Sequence, residues 1–348
     1  MHAPPALFVT LAILTSCSSG SDKDDSDTSS SGSESQDTGP DDDGDTREQG
    51  EDTTVTVFDA EHVYYGAENR RSVDVEVTFP DSTRTYSALN GRFRLHCPND
   101  YRCDHWDRYG TFGVVLNAGE ESEQFVEIDR FITAYRVGFS WESDLTDVRP
   151  LLTDTVTLRV FIDTWVGPGH EAGDGWLFDA AIDFEGGPPP SPEPIDVVPV
   201  WGHSSWSAGL PDNPVEAQIP SQTVSVPDAT RVTFRSFITG HGWNNSANCA
   251  EFCSKSHYYT VGGTEFGREV WRDDCRDTVT DGTQMGTWEY SRAGWCPGAQ
   301  VFPWDTEVTE SLTEGEPVDV SYRLEDYIWA GDGDQPYYYM SGVLVAYQ

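Results

Sequence analysis

From residue 53 onward, apolar positions alternate with polar ones instead of recurring every three or four residues. Val73-Asp-Val-Glu-Val-Thr-Phe79, Val156-Thr-Leu-Arg-Val-Phe-Ile162, Arg231-Val-Thr-Phe-Arg-Ser-Phe-Ile238 and Val318-Asp-Val-Ser-Tyr-Arg-Leu324 all follow the two-residue period of a strand with one buried face. No stretch sustains the period of an amphipathic helix. Clusters of Gly, Pro and Asp separate the runs, as turns separate antiparallel strands. The pattern predicts an all-β protein made of antiparallel sandwiches or jelly rolls. Its strongest interruption is Gly186-Gly-Pro-Pro-Pro-Ser-Pro-Glu-Pro194, whose prolines lack the backbone donors that a helix or central strand needs. A boundary at about residue 190 gives two halves, 53–189 and 190–348, each the size of one β-sandwich.

The N-terminal pattern is different. Ala6 to Leu14 is an apolar run far below the ~20 residues of a spanning helix. It ends in Leu14-Thr15-Ser16-Cys17, which resembles the lipobox of bacterial lipoproteins, with Cys17 as the lipidated residue and 1–17 as the signal. The alternative is a plain secretory signal with an incidental cysteine, which the absence of Lys and Arg from Met1 to Pro5 favours. Residues 18–52 are Ser, Asp, Gly, Thr and Glu with almost no apolar side chain, so they are expected to form a disordered acidic tether. This tract carries 13 acidic and 2 basic residues, so the remaining chain still holds -28 of the total -39. So acidic a chain is a poor partner for nucleic acid, whose phosphates need a basic footprint, or for an anionic membrane surface.

With Cys17 set aside, six cysteines remain, at 97, 103, 249, 253, 275 and 296. In an oxidising compartment they read as three disulfides. Proximity favours 97–103, 249–253 and 275–296 among the ~15 possible pairings. A zinc site on Cys249, Cys253 and His257 with Cys275 or Cys296, or a copper site on His203, His241 and His257, is the competing use of these residues. Two carboxylates stand out from the acidic background. Asp107 and Glu251 each adjoin a cysteine-closed loop, with Trp106 and Phe252 to limit water and Arg108 and Arg292 to oppose the resulting rise in pKa. That tension suits acid/base work. A serine-nucleophile reading has no support, because there is no Gly-x-Ser-x-Gly and the sheets read as antiparallel.

Four segments resemble the bacterial peptide-N-glycosidase F family. Cys103-Asp-His-Trp-Asp-Arg-Tyr109 is similar to its Cys-Asp-Glu-Trp-Asp-Arg-Tyr, and Glu127-Ile-Asp-Arg-Phe-Ile-Thr133 to its Glu-Ile-Gly-Arg-Phe-Ile-Thr. Cys249-Ala-Glu-Phe-Cys253 resembles Cys-Ala-Glu-Trp-Cys, and Arg292-Ala-Gly-Trp-Cys-Pro-Gly298 matches throughout. The resemblance implies two side-by-side eight-stranded jelly rolls, agrees with the sequential disulfides, and implies an amidase. Such an enzyme hydrolyses the bond between an asparagine side chain and the first N-acetylglucosamine of an N-linked glycan, leaving aspartate.

Carried over residue by residue, the resemblance assigns Asp107 as the principal catalytic group, Glu251 as a second, and Arg108 and Arg292 as charge-fixing groups. A third family carboxylate, a glutamate, falls on Asp163 in Ile162-Asp-Thr-Trp165, where the side chain is one methylene shorter. The family's Gly-Trp-Gly-His appears as Gly240-His241-Gly242-Trp243, with the aromatic and the histidine exchanged. Asp104, His241, Trp165, Trp243 and Trp295 complete the expected substrate contacts, the tryptophans by stacking on sugar rings. No cofactor and no metal are expected. The expected partner is an N-linked glycoprotein or glycopeptide, met by a monomer anchored through its N-terminal lipid to the outer membrane of a Gram-negative cell. A glycan-binding lipoprotein with weakened catalysis and, by analogy of fold, a copper monooxygenase are the alternatives.

Overall fold

The computed structural model describes residues 46–99 and 102–348. Cys17, the signal over 1–17 and the tether up to residue 45 lie outside the described residues. The chain is already ordered before the expected end of the tether at 52. Glu48–Gln49 pairs in parallel with Arg84 and Thr85, and Arg47 forms an ion pair with Glu193.

The first half closes a sandwich from two sheets. Thr53–Tyr65, Arg84–His96, Phe139–Asp144 and Trp176–Gly186 form one layer; Ser72–Thr78, Tyr109–Leu116, Gln124–Ile132 and Thr155–Ile162 form the other. Short additions at Glu48–Gln49, Asn69–Arg70 and Ala299–Val301 widen this eight-strand frame. The second half also has two four-stranded layers. Pro194–Ser207, Arg231–His241, Trp304–Glu307 and Tyr337–Tyr347 face Gln222–Val224, Lys255–Val261, Thr264–Val270 and Val318–Leu324. These are two β-sandwich jelly rolls, as the alternation predicts. Among the described residues no helix is long and apolar enough to cross a membrane.

The two cores share a wall, which explains one strand that alternation alone does not. Tyr337–Tyr347 is apolar almost throughout and buried along most of its length. Leu344 and Met340 enter the second core, while Val343, Val345 and Tyr347 point the other way into the first. A strand with both faces covered loses the polar half of its pattern. The seam is further closed by Ala299–Val301, which comes from the second half and pairs with Gln124–Ile132 of the first. At its centre the fully buried Arg130 binds Glu127 through two bonds of 2.6 and 2.7 Å. It also donates to the Tyr339 carbonyl and to Thr239 Oγ1 across the seam. Glu127 in turn accepts from Ser341 and Tyr109. A buried ion pair with every arm occupied fixes how the halves meet.

Candidate active site

The segment from Arg102 to Tyr109 is organised from within. Cys97 and Cys103 are bonded, and the Asp104 carboxylate behind them is fully buried. It accepts from the Trp106 amide (3.1 Å), Arg108 Nε (2.7 Å) and Thr164 Oγ1 (2.7 Å). Gly173 is required beneath this loop. At φ 122° it lies so close that a Cβ would come within 2.2 Å of the Cys103 carbonyl oxygen. Arg108 and Thr133 exchange backbone and hydroxyl bonds on the far side. Asp107 is thereby held at the head of the strand Tyr109–Leu116, where Tyr135 Oη donates to its Oδ2 at 2.8 Å.

Glu251 approaches from the second half, inside the loop closed by Cys249 and Cys253. Its carbonyl accepts from the Ala293 amide, and its carboxylate accepts from Arg292 Nε at 3.3 Å. Arg292 is fixed by a backbone bridge to Arg272 and by bonds to Thr287 Oγ1 and the Tyr290 carbonyl, each 2.8 Å. Its guanidinium lies 3.9 Å from Asp107 and 4.7 Å from the ring centres of Phe252 and Trp295. One buried cation therefore stands behind both carboxylates. Thr287 also reaches Tyr135, so the chain Asp107–Tyr135–Thr287–Arg292–Glu251 is continuous.

Both carboxylates open into a cleft of about 540 Å³ walled by Trp106, Trp243, Phe252, Tyr135 and Tyr290. Trp106 and Trp243 remain 57 % and 58 % exposed, so their ring faces are available to a ligand. Trp243 sits at the head of a loop in which Asn244, Ala247 and Asn248 all adopt positive φ. Gly333 packs under that loop, where a Cβ would be 2.0 Å from the Asn244 carbonyl oxygen. Burial raises the Asp107 pKa, opposed by Arg292, the Tyr135 bond and Arg108. Glu251 is pushed up to about 7, by burial first and then by the charge of Asp107, with Arg292 opposing. Two neighbouring carboxylates with raised affinities, one beside Tyr135 and the other beside Arg292, can divide base and acid roles between them.

Three expected contacts, Asp104, Trp295 and His241, are buried away from the cleft. Asp104 has no exposure and serves as the spine of its loop rather than as a substrate ligand. Trp295 is 3 % exposed, with its indole N–H on the Gly240 carbonyl, so no sugar reaches it. His241 is stacked between Trp295 and Tyr337, bonds Thr239, and is held neutral by burial with a pKa near 3. The exchanged Gly-His-Gly-Trp order thus turns the histidine into the seam and leaves Trp243 in the cleft. Arg292 has no exposed surface and orients the carboxylates from behind. Arg108 is partly exposed and turned onto Asp104. Asp163 is not among the residues that line the cleft; it is bonded to Arg71 at 3.1 Å, and Trp165 two positions on is exposed.

Tyr135 and Thr287 were not legible as site residues. Tyr135 follows the Glu127–Thr133 segment by two positions, which is a signal of proximity only. Thr287 sits in a long irregular stretch with no pattern at all. The three sequential disulfides are present. Pairing of Cys249 with Cys253 leaves His257 without thiolate neighbours, bonded to Tyr322 inside the second core, while His203 bonds Tyr109 at the seam.

Fold and site together define a double jelly roll with an aromatic-walled carboxylate pair drawn from both halves. Two family descriptions match: "Peptide-N-glycosidase F, N terminal" over residues 112–173 and "Peptide-N-glycosidase F, C terminal" over 211–345, together more than half of the chain. The protein belongs to the peptide-N-glycosidase F family. It is 27 % identical over 310 residues to the peptide-N(4)-(N-acetyl-beta-D-glucosaminyl)asparagine amidase F of Elizabethkingia miricola, covering 85 % of this chain and 84 % of that protein. The fold is similar to that of PNGase F, a glycosylasparaginase from Flavobacterium meningosepticum (TM-score 0.71, 24 % identity, 86 % of this chain and 96 % of that one). It is also similar to PNGF-II (TM-score 0.67, 16 % identity, 85 % and 65 %).

Proposed function

We propose that this protein is an amidase that hydrolyses the bond between an asparagine side chain and the first N-acetylglucosamine of N-linked glycoproteins. The observation that carries the reading is the Asp107–Glu251 pair: two carboxylates with raised affinities, held by one buried arginine at an aromatic-walled cleft. Aromatic walls suit sugar rings, whose C–H faces stack on them.

Amide hydrolysis needs a base for the attacking water, a donor for the carbonyl oxygen and a proton for the leaving nitrogen. Asp107 ionises with the help of Arg292 and Tyr135 and accepts the proton of the water. Water oxygen bonds to the side-chain carbonyl carbon, the carbon–nitrogen bond breaks, and Asp107 passes its proton to the departing glycosylamine. Glu251, which keeps its proton to near neutrality, donates to the amide oxygen or the first sugar. The peptide is left with aspartate. Incubating the protein with a denatured N-glycoprotein tests this. Released glycan with aspartate at the former sites supports it, and Asp107→Asn is expected to lower kcat by about 10²–10⁴-fold with the fold retained. Glycan binding without release from high-mannose, complex and core-modified substrates would instead establish a binding protein.

Placement belongs to the same proposal. The apolar run before Cys17 and the acidic Ser/Asp tract after it support a lipid-anchored protein held off the outer membrane of a Gram-negative cell by its tether. Radiolabelled fatty acid on the wild type and none on Cys17→Ser is the expected result.

A further inference from the structure

Between Cys275 and Cys296, which are bonded to each other, the chain forms no strand, yet three of its residues converge on Tyr135. Gln284 is 5 % exposed; its Oε1 accepts from the Tyr135 amide at 3.2 Å, and its Nε2 donates to the Pro297 carbonyl at 3.0 Å. Gly286, at φ 74°, lies against the Tyr135 ring, where a Cβ would come within 2.9 Å of Cε1. Thr287 follows and places its Oγ1 3.4 Å from Tyr135 Oη and 2.8 Å from Arg292 Nη2. Its own carbonyl accepts from the Tyr290 amide, which closes the turn. The segment that holds the backbone and the ring of this tyrosine therefore also supplies a hydroxyl to its oxygen.

The donors and acceptors present fix the direction of this chain. A guanidinium carries donors only, so Thr287 Oγ1 accepts from Arg292. An ionised carboxylate only accepts, so the single Tyr135 hydroxyl proton goes to Asp107 Oδ2, 2.8 Å away. That leaves the Thr287 proton for the bond between the two hydroxyls. Each donor in such a row polarises the next and strengthens the last bond. Four groups act on the Asp107 charge: Arg292, Tyr135 and Arg108 stabilise it, and Glu251 opposes it when ionised. Arg292 approaches Oδ2 as well, but only to 3.9 Å, so its bonded route to Asp107 runs through Thr287 and Tyr135.

Building on the amidase reading, we propose that Thr287 is a positioning residue that directs the Tyr135 proton onto Asp107 Oδ2. Oδ1 is then the oxygen that takes the proton of the attacking water and returns it to the departing nitrogen. Without the Thr287 hydroxyl Tyr135 still donates, but its oxygen loses the partner that polarises it, and ionised Asp107 is stabilised less.

The test is the pH dependence of kcat and kcat/KM for the wild type, Thr287→Val and Thr287→Ser on one N-glycopeptide. Valine keeps the shape and removes the hydroxyl, whereas serine keeps the hydroxyl. Thr287→Val is expected to lower kcat about fivefold, the loss of one hydrogen bond, with KM within about twofold. Its acid limb in kcat/KM should move about half a pH unit upward, and Thr287→Ser should restore both properties. An unmoved limb in Thr287→Val, or a serine variant that behaves like valine, would overturn the relay. A rise in KM alone would make Thr287, which lines the cleft, a substrate contact and would overturn it too. A limb moved downward would mean that Arg292 had swung onto Asp107, against the assigned direction. If the wild type released no glycan, the amidase reading would fail, while NMR titration of the Asp107 carboxyl carbon in the wild type and Thr287→Val still decided the relay. The same upward shift would support it there, and identical titrations would overturn it.

Discussion

Replacing Glu251 by glutamine removes one ionisable group from a buried, charge-coupled pair and leaves nearly the same shape. The folded pKa of Glu251 is about 7, against 4.5 for the ordinary side chain. A raised folded pKa means that the folded state holds a proton which the unfolded chain releases earlier. The associated stability is fully present below about pH 4.5, declines as pH rises, and is lost above about pH 7. At 1.36 kcal/mol per pKa unit the decline is about 3 kcal/mol. Glu251→Gln cannot ionise, so its stability is expected to be flatter than that of the wild type by that amount between pH 4 and 8. For a chain of this size the relative melting temperatures should shift by about 6 °C across the window. The absolute effect also contains the altered bond to Arg292, so only the pH dependence is diagnostic. Thermal melts of both proteins at several pH values give it directly. Parallel curves would show that Glu251 titrates normally and would refute the separation of roles within the pair. The kinetic counterpart is the disappearance, in the variant, of the kcat limb near pH 7.

Tyr135→Phe removes the hydroxyl that stabilises ionised Asp107, so the Asp107 pKa should rise further. The acid limb of the rate profile should then move to higher pH, and an unmoved limb would exclude Tyr135 from setting the base. Arg130→Met leaves Glu127 as an uncompensated buried charge at the seam between the sandwiches. Denaturant unfolding should show a loss of about 3–5 kcal/mol, and a loss under about 1 kcal/mol would show that the pair is not needed to hold the halves together.

The strands were legible because most bury only one face. Val318–Leu324 coincides with its alternating run, and Thr155–Ile162 differs from its run by one residue. Tyr337–Tyr347 was not legible as a shared wall, because burial on both sides erases the period by which a strand is recognised. The cleft followed the same logic. Asp107 follows one cysteine-closed loop and Glu251 lies inside another, each beside an aromatic, and that local signature survives folding unchanged. Trp295, His241 and Asp104 carry the same residue types in the same segments, yet only tertiary packing turns them inward. Tyr135 and Arg71 bond carboxylates 28 and 92 residues away, and Thr287 joins its neighbour Arg292 to Tyr135 across 152, separations that no local pattern encodes.

The most direct test of the central claim is mass analysis of a denatured N-glycoprotein treated with this protein in water enriched in heavy oxygen. Attack at the asparagine side-chain carbonyl is expected to leave aspartate carrying the heavy label at each former glycosylation site, together with intact released glycan, and neither with Asp107→Asn. Release that leaves asparagine, bare or still bearing one sugar, would place the cut in a glycosidic bond or at the sugar carbon. Either outcome would contradict an amidase built on Asp107 and Glu251.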